Sequence, residues 1–149
     1  KHWIKLINLN LKKSKMHSFN LNLISPEKKY YEGEVDMVVV PGEDGDFSVL
    51  LDHCPIITYI RPGKIEITSK ENKIIYFVGR GFVKVLDNNC LVMVDYIKEL
   101  KDLNYKDAEN NLKEVQAKIQ NDNIDEKLKQ ELIEYKKILE EEILISTDK

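Results

Sequence analysis

LNLISPEKKYYEGEVDMVVVPGEDGDFSVLLDHCPIITYIRPGKIEI, residues 21–67, is the stretch that decides the fold. Its apolar residues recur at every second position and are broken at short intervals by proline, glycine and acidic clusters. That is the mark of short, half-buried strands joined by tight turns. Phe19, Leu21 and Leu23 alternate with Asn20 and Asn22 until Ser25-Pro26-Glu27 ends the run, because proline has no N–H for a ladder. Val35, Met37 and Val39 set the next alternation. Pro41-Gly42-Glu43-Asp44-Gly45-Asp46 closes it with a composition suited to a solvated turn. The same reading predicts strands over 47–50, 56–60, 64–68, 73–78, 82–86 and 90–94. Their connectors are Arg61-Pro62-Gly63, Lys70-Glu71-Asn72, Gly79-Arg80-Gly81 and Asp87-Asn88-Asn89.

After Tyr96 glycine and proline vanish and the apolar period becomes helical. Tyr105, Ala108, Leu112, Val115 and Ile119 form one stripe, with Asn104 placed to cap and Asp107 three residues on. Leu128, Leu132, Tyr135, Leu139 and Ile143 form a second, with Asp125 at its head. The Asn121-Asp122-Asn123 connector is short enough to fold the helices back on each other. The expected fold is β plus α: an N-terminal antiparallel β-sandwich over 16–100, then an antiparallel two-helix hairpin over 101–149.

Composition excludes several classes. A chain of 149 residues with 42% hydrophobic and 33% charged side chains can bury a core without metals or disulfides. A formal net charge of −3 offers no basic field for nucleic acid. No apolar run approaches the length of a membrane-spanning helix, so membrane association must come through a partner. Cys54 and Cys90 stand far apart in apolar runs and read as reduced core thiols. Residues 1–15, KHWIKLINLNLKKSK, carry five lysines and no acid. They read as a leader outside the fold: either a flexible or upstream tail before Met16, or the remnant of an amphipathic targeting segment.

Chemistry-bearing motifs are sparse. Gly79-Arg80-Gly81 lacks the third glycine and the helix start of a dinucleotide loop and reads as a turn. Asp52, His53 and Cys54 are consecutive, so in an extended chain their side chains diverge and form no triad. His2, His17 and His53 lack metal-ligand spacing, and no pair of acids is singled out as an acid and base. The residues therefore give no catalytic, metal or cofactor site and point to a binding or coupling module.

The order of features in residues 21–67 resembles the N-terminal sandwich of epsilon subunits of the rotary F-type ATP synthase, the counterpart of the mitochondrial delta subunit. The opening ISPE strand, Tyr31-Glu32-Gly33, the 41–47 loop, His53-Cys54-Pro55 and Arg61-Pro62-Gly63 fall at similar spacing. The later Gly79-Arg80-Gly81-Phe82 turn and the terminal helices extend the likeness to about residue 145. The resemblance implies a non-catalytic central-stalk subunit that grips the gamma subunit and rests on the c-ring, with contact to the alpha/beta head as a further partnership. It assigns Glu43, Asp44, Asp46 and His53 to the partner interface. It implies a peripheral seat on the cytoplasmic face of a bacterial inner membrane, with the matrix side of the mitochondrial inner membrane as the alternative.

Two departures from the family pattern bear on that expectation. Asp52 and Ser48 stand where relatives usually carry glycine, which restricts φ. The ATP-binding LDxxRA motif of some relatives aligns with Leu103-Asn104-Tyr105-Lys106-Asp107-Ala108, which lacks its acid and its arginine. Residues 101–149 hold nine lysines, no arginine and thirteen acids. The expectation is weak or absent ATP-sensitive inhibition, with the hairpin packed down on the sandwich. The alternative from another class is a free-standing β-sandwich adaptor or ligand-binding module unrelated to the synthase.

Overall fold

A computed structural model describes residues 17–148; the leader expectation falls on residues outside that range. Ten strands follow one another: β1 (Phe19–Ile24), β2 (Lys29–Val35), β3 (Met37–Gly42), β4 (Gly45–Val49), β5 (Ile56–Ile60), β6 (Gly63–Ser69), β7 (Asn72–Val78), β8 (Gly81–Leu86), β9 (Asn89–Val94) and β10 (Ile97–Glu99). They form one hydrogen-bonded path that folds into two layers. Sheet I runs β2-β1-β9-β8-β5 and sheet II runs β4-β3-β6-β7-β10. The layers meet where Gly42 of β3 pairs with Ile60 of β5.

The period-two pattern explains the core. Leu21 and Leu23 of β1, Val83 and Val85 of β8, and Val92 and Val94 of β9 point inward from sheet I. Val38 and Val40 of β3, Ile65 and Ile67 of β6, and Val78 of β7 meet them from sheet II in one continuous cluster. Cys90 lies in that cluster, and burial pushes its thiol up from 9.0 to about 12. Cys54, expected in the core, is exposed: it lies in the β4–β5 connector beside Pro55, where no ladder turns it inward.

Three features depart from the pattern read in the sequence. The alternation assigned to Val35, Met37 and Val39 changes face at Asp36, so Val35, Val38 and Val40 are buried while Met37 and Val39 are half-exposed. Asp36 makes the bend: its N–H donates to the Thr68 carbonyl at 2.8 Å and its carboxylate accepts from the Lys70 N–H at 2.6 Å. Strand β2, masked in the sequence by its three charged residues, pairs antiparallel with β1. The β1–β9 pair runs parallel within an otherwise antiparallel sandwich.

Turn chemistry sets the register of the β8–β9 hairpin. Asp87 and Asn88 both take positive φ, 48° and 59°, the geometry that matches a two-residue turn to the twist of its strands. Asp52, where glycine was expected, also adopts left-handed backbone at φ 61°. Its N–H donates to Asn88 Oδ1 at 2.7 Å, and Asn88 Nδ2 donates to Asp52 Oδ1 at 3.1 Å. These bonds offset a left-handed cost of roughly 1–2 kcal/mol for a non-glycine residue. Ser48 lies in β4 without positive φ, so no glycine is required there.

A 3₁₀ turn (Leu100–Asp102) leads into α1 (Tyr105–Ile119) and α2 (Glu126–Thr147). Asn104 caps α1 as read, its Oδ1 accepting from the N–H groups of Lys106 and Asp107 at 2.9 and 3.4 Å. Asp125 heads α2 without a side-chain cap bond. Burial on α2 peaks at Ile138, Leu139, Glu142 and Ile145, offset from the expected stripe, and Leu128 is exposed. Ile138 and Ile145 pack with Phe77 of β7 and Leu103 in a second, smaller cluster. Helix α2 is thus buried on the outer side of sheet II.

Candidate functional site

The four residues singled out in the sequence lie at one end of the sandwich. Glu43 and Asp44 form the exposed two-residue tip of the β3–β4 hairpin, between the paired Gly42 and Gly45. A Cβ on Gly42 would meet the Gly45 carbonyl at 2.8 Å and the Phe47 ring at 2.9 Å, so this turn closes only around glycine. Gly45 takes φ 137°, which absorbs the twist that Glu43 and Asp44 do not. Asp46 follows, exposed and paired with Arg61 at 2.5 Å. Such an exposed pair contributes at most about 1 kcal/mol, so it orients the tip more than it stabilises it.

His53 is half-buried in the β4–β5 connector, its ring 6.3 Å from that of Phe47. Its Nδ1 donates to the Cys54 carbonyl at 2.7 Å, which commits that nitrogen to backbone and not to any of the three acids. The arrangement presents charge and shape at a turn and couples no acid to a base. Among the described residues no group of three or more His, Cys, Asp or Glu side chains could hold a metal ion.

The larger feature is one the sequence reading did not single out. Tyr59 of β5, Phe82 of β8, Met93 of β9 and Ile24 of β1 stand in register across four strands on the outer side of sheet I. Ile57 and Leu91 flank them in the next row. Ile57 is 71% exposed and Tyr59 69%, far above what a solvated strand face needs. The signal was present in segments such as Cys90-Leu91-Val92-Met93-Val94, which are apolar on both faces where a wet outer face would alternate with polar residues.

The two features are contiguous. The Glu43 N–H donates to the Tyr59 carbonyl at 3.0 Å. An open cleft of about 560 Å³, lined by Glu43, Tyr59, Arg61, Arg80 and Phe82, connects the acidic tip to the apolar row. Arg61 and Arg80 are the chain's only arginines. Arg80 also pairs with Glu134 of α2, so it stands between the cleft and the hairpin. No described helix is long and apolar enough to cross a membrane.

Residues 18–99 match the sequence profile of the ATP synthase delta/epsilon chain β-sandwich domain. The chain is 37% identical over 92 residues to the ATP synthase epsilon chain of Rhodopseudomonas palustris strain TIE-1, covering 62% of this chain and 68% of that one. It is 36% identical over 100 residues to the epsilon chain of Leptospira borgpetersenii, covering 67% and 79%. In three dimensions it is similar to a chain of the Euglena gracilis mitochondrial ATP synthase OSCP/F1/c-ring assembly. The TM-score is 0.70 at 20% identity, covering 89% of this chain and 82% of that one. A chain of the Tetrahymena thermophila mitochondrial ATP synthase central stalk and c-ring gives a TM-score of 0.56 at 14% identity, covering 85% and 95%. With the sandwich, its turns and more than half of the sequence in agreement, the chain belongs to the ATP synthase delta/epsilon chain family.

Proposed function

We propose that this delta/epsilon chain is a central-stalk subunit that couples the gamma subunit to the c-ring, with the outer face of sheet I as its grip on gamma. It acts as a peripheral, membrane-associated accessory subunit, and the synthase's chemistry takes place on other chains. The observation that carries the reading is the apolar row Tyr59, Phe82, Met93 and Ile24. An exposed apolar row of this composition marks a surface for a partner, and the helical hairpin covers the other sheet.

The acidic tip is the second contact. Glu43, Asp44 and Asp46 project beyond the sandwich with little internal use, which suits them to the polar loops of a membrane ring, and His53 shapes the neighbouring connector. The division into a sandwich over 16–100 and a hairpin over 101–149 assigns force transmission to the first. The second carries regulation, weak or absent toward ATP because the segment 103–108 has no arginine. The seat is the cytoplasmic face of a bacterial inner membrane, or the matrix side of the mitochondrial one.

Co-expression with the gamma subunit of the same genome, followed by size-exclusion chromatography, tests the grip. The wild-type chain elutes as a stoichiometric complex, and Ile57→Glu with Tyr59→Glu abolishes it while the free variant stays folded. Separate elution of the wild-type proteins at micromolar concentration would instead favour a free-standing adaptor.

A further inference from the structure

Glu142 is the one charged side chain buried among the described residues, 1% exposed in the middle of the contact between α2 and the sandwich. Tyr96 donates its hydroxyl to Glu142 Oε2 at 3.1 Å, and Lys98 donates its ammonium to Oε1 at 3.1 Å. The Lys98 ammonium also lies 5.3 Å from the centre of the Tyr96 ring. That ring meets Phe77 edge to face at 5.9 Å, which ties the polar trio to the apolar cluster of Phe77, Leu103, Ile138 and Ile145. Burial raises the Tyr96 hydroxyl to about 12, so it remains a donor over the neutral range.

An apolar contact this small fixes its register weakly, because burial of apolar area is non-directional. A buried carboxylate does fix it, because only one position supplies both donors and every other leaves the charge unpaired. We propose that Tyr96, Lys98 and Glu142 form a charge-dependent latch that makes the hairpin either docked in one register or released, with no intermediate placement. The exposed Arg80–Glu134 pair lies a little over two turns N-terminal on α2 and adds alignment, being half-solvated. The inference concerns contacts within this chain and does not depend on which partner covers sheet I.

The latch reading differs from simple adhesion in a testable way. Removing one partner leaves an uncompensated buried charge, whereas replacing both by apolar residues of similar size removes the penalty and the pair together. The experiment is methyl NMR of the isolated full chain, reading the ring-shifted signals of Ile138 and Ile145, with Val83 and Val92 as reporters of the intact sandwich. Lys98→Met raises the released population by on the order of 10- to 100-fold. Glu142→Leu combined with Lys98→Met restores the docked shifts, and Lys98→Arg retains them. Unchanged shifts in Lys98→Met, or a double variant as released as the single one, overturns the latch. So does Ile138 shifting without Ile145, because that would be graded loosening.

Discussion

The sandwich and the docked hairpin solve the same problem with different materials. The sandwich core is a continuous block of Val, Leu and Ile from both sheets, with no charge inside and many contacts between residues distant in sequence. The hairpin is held by a small cluster around Phe77 and one buried carboxylate. Burial of apolar area stabilises without specifying direction, so a large core tolerates few alternatives and rarely opens. A small apolar contact with a paired charge is specific yet separable. The comparison teaches that apolar bulk secures the strand framework, whereas the proposed latch makes the hairpin the element whose attachment depends on polar pairing.

The comparison breaks most visibly in the sandwich. Leu23→Ala, at a fully buried β1 position, should lower unfolding free energy by roughly 2–5 kcal/mol, read by urea titration. The hairpin should lose its docking in the same transition. Deleting residues 102–149 should leave a folded sandwich by circular dichroism, and a sandwich that unfolds on this deletion would show the two regions to be one cooperative unit.

The Asp52–Asn88 pair sharpens the comparison at a smaller scale. Asp52→Ala keeps the left-handed backbone and its N–H bond to Asn88 but loses the side-chain bond that offsets the φ cost, and should cost about 0.5–1.5 kcal/mol. Asp52→Gly relieves the backbone while losing the side-chain bond, so the two effects should nearly cancel, to within about 0.5–1 kcal/mol. Equal losses from both substitutions would mean that φ at this position carries no cost.

Alkaline pH separates the regions more gently. The folded sandwich keeps the Cys90 thiol protonated up to about 12, whereas the unfolded chain ionises it near 9.0. The unfolded state then binds fewer protons, so stability is full below pH 9 and falls as pH rises toward 12, by up to about 1.4 kcal/mol per unit. Cys90→Val should flatten that slope in urea titrations. Tyr96→Phe should flatten the part that begins nearer 10.0, the tyrosine's ordinary value.

Much of the fold was legible because period two and turn residues are local signals. Eight of the strands, the Asn104 cap and both helices follow from them. β2 was hidden because its half-buried edge position admits Lys29, Glu32 and Glu34. The face switch at Asp36 was hidden because it depends on hydrogen bonds to residues 68 and 70. The acidic tip was legible as a turn. The apolar row was less so, since it exists only once β5, β8, β9 and β1 are laid side by side. Glu142 stands in a run of three acids, Glu140-Glu141-Glu142, and nothing local distinguishes it; only the distant Tyr96 and Lys98 do.

The central claim is that sheet I faces the gamma subunit in the assembled synthase while sheet II faces the hairpin. A photo-crosslinking amino acid placed at Tyr59 in the assembled enzyme, with mass spectrometry of the products, tests it most directly. The account predicts crosslinks from Tyr59 to gamma and none to the hairpin. Crosslinks from Tyr59 to residues 105–147 of the same chain, or none to gamma in an intact and active synthase, would contradict it.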